Sequence, residues 1–99
     1  MSTTWRTSSG TTGIGQPVIL TADTGYFWFF QSTNVELVLK VLAGCTVNDR
    51  FWVFAGGLTN VEVRIEVTDT VSAQTRIYES PLGTPFVPLQ DTQAFATCP

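Results

Sequence analysis

Among side chains able to do chemistry, this chain offers two cysteines, eight carboxylates and three tryptophans, and it has no histidine. A serine or cysteine nucleophile needs a base, usually histidine, so acyl transfer of that kind has no proton acceptor here. Glycoside hydrolysis needs two carboxylates facing each other across a concave site. Glu36, Glu62 and Glu66 alternate with aliphatic residues and read instead as outward strand positions. Gly56-Gly57 and the Gly10, Gly13, Gly15 series lack the lysine and following helix of a phosphate loop. The chain therefore reads as not an enzyme, with no catalytic residue and no cofactor.

Cys45 and Cys98 allow one intramolecular pairing, and neither belongs to a CxxC or Cys/His cluster that would suit zinc. Two separate buried thiols are one reading. A Cys45–Cys98 disulfide is the preferred one, because a crosslink near the chain end restrains most. It would be worth about 4 kcal/mol in the chain-entropy description, and it implies an oxidising, extracellular or periplasmic setting. Asp-Thr occurs at Asp23, Asp69 and Asp91, each where a strand pattern stops. An Asx turn explains this more simply than calcium, which needs several convergent oxygens at a spacing not present. No metal site is expected.

The tryptophans lie within a repeat. Phe27-Trp28-Phe29-Phe30 is followed by Thr33-Asn34-Val35-Glu36 and alternating aliphatics; Phe51-Trp52-Val53-Phe54 is followed by Thr59-Asn60-Val61-Glu62 and the same alternation. Each copy reads as a β-hairpin, with Asn34 and Asn60 suited to left-handed turn backbone. Val35, Leu37, Leu39, Val41 and Val61, Val63, Ile65, Val67 would line a core. Glu36, Lys40, Glu62, Arg64 and Glu66 would then share one outer sheet face. Alternation separates Phe27, Phe29, Phe51 and Val53 from Tyr26, Trp28, Phe30, Trp52 and Phe54. Phenylalanine is the more readily buried, so the tryptophan-bearing set is expected to face outward, with Val38 extending it. The alternative is that loops, including the proline-rich stretch 81–88, cover these strands.

The elements that must position these residues are strands. Residues 17–22, 26–30, 35–42, 50–55, 61–68, 75–79 and 94–97 carry β-branched or aromatic runs broken by Gly, Pro, Asp and Asn, and residues 4–7 could be the tail of a first strand. About seven strands in 99 residues predict one all-β domain, a single antiparallel β-sandwich of immunoglobulin-like size with an internally repeated hairpin. Residues 1–15 read as weakly ordered or as a shortened first strand.

Charged residues make up only 13% of the chain and the net charge is −3, with five scattered basic residues, which argues against nucleic acid. No apolar run reaches the length of a membrane span. The first ten residues are too polar for a signal peptide, so an exported domain would be a mature or excised piece.

The run Asp23-Thr24-Gly25-Tyr26-Phe27-Trp28-Phe29-Phe30, then Asn34-Val35-Glu36-Leu37-Val38, Phe51-Trp52-Val53-Phe54, Leu58-Thr59-Asn60-Val61-Glu62-Val63 and Val67-Thr68-Asp69-Thr70 resembles a recurrent β-rich appendage domain of exported bacterial proteins. The family pattern carries an earlier cysteine and a fuller first strand, so residues 4–7 would form a truncated sheet edge open to another chain. No activity or site residue comes with the resemblance. It implies a non-catalytic structural or interaction module whose partner is another protein domain or a second copy. The alternative from the residues themselves is a carbohydrate-binding module, with Trp28, Trp52 or Trp5 stacking on a glycan.

Overall fold

Two alternating aliphatic runs decide which side of each sheet is buried. The computed structural model describes residues 1–98, in the order β1 (Ser2–Arg6), β2 (Thr12–Ile14), β3 (Gln16–Ile19), β4 (Thr24–Trp28), β5 (Leu37–Gly44), α1 (Cys45–Asn48), β6 (Arg50–Gly57), β7 (Glu62–Thr68), β8 (Thr75–Ser80) and β9 (Leu89–Phe95). The strands form a four-stranded sheet, β2-β1-β7-β8, and a five-stranded sheet, β3-β4-β5-β6-β9. All pairings are antiparallel. Leu37 and Leu39 of β5 and Val63, Ile65 and Val67 of β7 are buried, together with Phe27, Phe29, Val53, Ala94 and Phe95. The fold is the expected β-sandwich, with about nine strands rather than seven.

The two extra strands come from the segment read as weak. β1 and β2 form a hairpin whose turn uses Gly10 at a φ of 86°, where glycine carries no Cβ penalty. β1 is no truncated edge: it sits between β2 and β7, with Thr3 buried opposite Ile65 and Trp5 opposite Val63. Ser and Thr mask this strand in sequence because only its inward positions, Thr3 and Trp5, touch the core. At Gly15 the chain leaves β2 and enters β3 in the other sheet, and the Gly15 N–H donates to the Thr3 carbonyl at 2.7 Å.

The repeat does not yield two hairpins. β4 and β5 pair directly, but β6 belongs to the five-stranded sheet and β7 to the other. Gly57 and the residues before Glu62 carry the chain across the core as an arch. The alternation is the same in both copies, since either route buries the same parity of side chains. Nor do Asn34 and Asn60 adopt left-handed backbone; among non-glycine residues only Asp49 and Ala73 do. The Asn34 side chain instead donates to Glu36, at 2.6 Å. Glu36 is itself buried rather than outward, because β5 begins one residue after it.

The Cys45–Cys98 disulfide joins α1 to the end of β9. The opposite sheets are also tied at the β8–β9 edge, where the Tyr78 hydroxyl donates to the Asp91 carboxylate at 2.7 Å and Arg76 lies 5.5 Å over the Phe95 ring. Asp69 and Asp91 accept N–H groups two residues downstream, as Asx turns do. Asp23 accepts from the hydroxyls of Thr24 and Thr21, which hold its carboxyl below the ordinary value. No helix among the described residues is long and apolar enough to cross a membrane.

Truncation of Leu39 or Ile65 to alanine is expected to cost about 2–5 kcal/mol by leaving a cavity between the sheets. Urea unfolding of each variant measures this. A second expectation follows from Tyr78, whose phenol is raised above its usual range, first by burial and then by the Asp91 carboxylate that accepts its proton. A raised phenol stabilises the fold fully below the unfolded value of about 10, and that contribution is lost as pH rises through and above it. Unfolding midpoints should therefore fall more steeply between about pH 9 and pH 11 for the wild type than for Tyr78→Phe.

Candidate functional site

With the inner faces occupied by aliphatics, the two sandwich surfaces differ in chemistry. The four-stranded sheet turns Arg6, Glu62, Arg64, Glu66 and Glu79 outward. Arg6 pairs with Glu62 at 2.6 Å, and Arg64 pairs with Glu66 at 3.2 Å and with Glu79 at 3.7 Å. Such exposed pairs contribute little to stability individually, but they keep this face hydrated.

The five-stranded sheet turns aromatic residues outward. Register places Val18, Tyr26, Val38 and Gly56 in one cross-strand row, Lys40, Phe54 and Gln90 in the next, and Leu42 beside Trp52 beyond it. Trp28 stands opposite Gln16 at the far end of β4. Neighbouring strands are about 4.8 Å apart, so the aromatics of β4 and β6 flank β5 at about twice that distance. Lys40 lies within this patch and Arg50, opposite Gly44, closes it beyond Trp52; neither has a carboxylate in its row. Lys40 does not share a face with Glu62, Arg64 and Glu66, because β5 and β7 lie in different sheets.

Trp52 is held by its surroundings. β9 carries two more residues than β6 between the pairs Phe51–Phe95 and Val53–Asp91, and this bulge lies beside Trp52. Asn48 of α1 donates to the Thr92 carbonyl inside the bulge and accepts from the Trp52 indole N–H, both at 2.8 Å. The ring lies across Gly44: a Cβ there would come 2.1 Å from the indole. Trp52 and Phe54 stack with centroids 6.0 Å apart and an interplanar angle of 23°. The disulfide next to Asn48 keeps α1 in place for this contact.

Tyr26, Trp28, Trp52 and Phe54 thus lie on one face, half-buried among themselves, with Val38 exposed in their midst. Phe30 leaves the set. β4 ends at Trp28, so alternation no longer governs residue 30, and its ring meets Trp5 edge-on at 4.7 Å near the rim of the sandwich. Trp5 itself points inward. The 81–88 stretch does not cover the aromatic face either; Phe86 packs against Gly57, on the core side of β6. Leu42, which the sequence reading does not place on this face, shares the parity of Val38 and Lys40 and stands beside Trp52.

Among the described residues no group of three or more His, Cys, Asp or Glu could hold a metal ion. Comparison with protein-family models, curated proteins and solved structures finds no match to this chain.

Replacing Asn48 with alanine should free the Trp52 indole. The expected result is faster solvent exchange of its N–H by NMR, with about 1–2 kcal/mol lost from stability.

Proposed function

We propose that this domain is a non-catalytic interaction module of an exported protein, joined to a partner domain or to a second copy through the outer face of its five-stranded sheet. The observation that carries the reading is the difference between the two outer faces. One is laced with ion pairs; the other gathers Tyr26, Trp28, Val38, Leu42, Trp52 and Phe54, with Lys40 among them, Arg50 at one end and no carboxylate in the rows. The sandwich extends 44 × 24 × 22 Å, and two sheets packed about 10 Å apart leave no third layer to cover this surface. Contiguous apolar surface on a small domain marks a contact site. The disulfide supports an extracellular or periplasmic setting. A polar glycan is the second reading, favoured by the stacked Trp52–Phe54 pair.

Substituting Val38 with glutamate places a charge at the centre of the face on a side chain already 37% exposed. Sedimentation velocity should show wild-type self-association that this variant loses while its melting temperature is unchanged. A wild type that stays monomeric at high concentration removes the second copy as partner. Tryptophan fluorescence that responds to soluble glycans in the wild type alone would favour the glycan.

A further inference from the structure

Among the described residues Glu36 is the one buried carboxylate side chain, at 6% exposed. Its only side-chain partner is neutral: Asn34 Nδ2 donates to Oε1 at 2.6 Å. Three ion pairs form among the described residues, and none includes Glu36. Its second oxygen is not among the buried side-chain atoms that lack a partner, so it still reaches solvent and can accept from an incoming donor. The internal repeat shows what is missing. Asn34-Val35-Glu36 corresponds to Asn60-Val61-Glu62, and Glu62 accepts from the Arg6 guanidinium at 2.6 Å. In the first copy no arginine occupies the equivalent place.

Glu36 lines an open cleft of about 600 Å³ at the end of the sandwich where β6 crosses to β7. Phe30, Leu58, Val61 and Phe86 are its apolar walls, Thr59 and Asn60 its other polar ones, and no basic residue lines it. Phe30 is 49% exposed, braced edge-on by Trp5. Phe86 is fixed because its ring lies against Gly57, where a Cβ would approach to 2.3 Å. Asn34 occupies Oε1, so the second oxygen stays available towards the cleft.

We propose that this cleft receives a guanidinium group, the side chain of an arginine presented by a partner polypeptide. The guanidinium is planar and weakly hydrated, so it stacks on an aromatic face while donating to a carboxylate; an ammonium does this less well. The bond to the free oxygen of Glu36 would be charge-assisted, the strong class of hydrogen bond. The site is separate from the aromatic sheet face and rests on none of its residues.

The probe is N-acetyl-arginine N-methylamide, with the citrulline analogue as an uncharged isostere, titrated to millimolar concentration against 15N-labelled protein. Saturable shifts are expected at the amides of Asn34, Glu36, Leu58 and Phe86 with the arginine probe and not with citrulline. Glu36→Gln should weaken binding about tenfold or more, as loss of a charge-assisted bond implies, and Val38→Glu should leave it unchanged. Phe30→Ala, at an exposed position, should weaken it several-fold, and it serves if Glu36→Gln does not fold. Equal response to citrulline, undiminished binding by Glu36→Gln, or an absence of shifts at these amides would overturn the proposal. Among the described residues Arg50 alone of the arginines is neither ion-paired nor set over an aromatic ring, donating only to the Asp49 carbonyl. Shifts of the same amides on dilution of the free protein, abolished by Arg50→Gln, would assign the arginine to a second copy. Their absence would assign it to a different polypeptide.

Discussion

Burial of Leu37 and Leu39 against Val63 and Ile65 is the contact from which the other features follow. These four side chains are essentially inaccessible, and they belong to central strands of opposite sheets. A strand has only two faces, so once these residues point inward the parity of every neighbour is set. Val38 and Lys40 must then face out on β5, and the ladder carries Tyr26, Trp52 and Phe54 with them. A one-residue slip would bury the lysine and expose two leucines, which makes the register strongly specified.

A small sandwich has few means of holding its ends together, and this one uses them in combination. The disulfide anchors α1 to the last strand. Asn48 passes that anchor on to the β9 bulge and to the Trp52 indole. Tyr78 and Asp91 clasp the sheets where β8 and β9 meet. At the other lateral edge a single residue, Gly15, carries the chain between sheets. The large outward ring of Trp52 is accordingly the best-oriented part of the aromatic face, and the proposed contact there would need little reordering.

The repeat gains a meaning that neither copy has alone. Both copies bury the same aliphatic parity, yet one closes as a hairpin and the other opens as an arch. That divergence sends Glu62 to the hydrated face beside Arg6 and leaves Glu36 inside without a cation. Similar local sequence thus produces an ion-paired acid in one place and, in the other, an acid held only by a neutral amide.

Strand content, the inward aliphatic rows and the Cys45–Cys98 pairing were legible in the sequence, because alternation and a single possible cysteine pair are local or combinatorial facts. So was the outward parity of Tyr26, Trp28, Trp52 and Phe54. Only the tail of β1 was legible, and β2 was hidden, since threonine and serine satisfy a ladder without announcing burial. Phe30 was assigned to the face because periodicity continues on paper after a strand has ended in space. Whether β6 and β7 pair or part also lay beyond the local pattern, because hairpin and arch bury the same parity of side chains. Sheet membership is decided by which strands compete for each edge, a long-range matter that only the packed chain resolves. The lone buried carboxylate of Glu36 arises from that same choice.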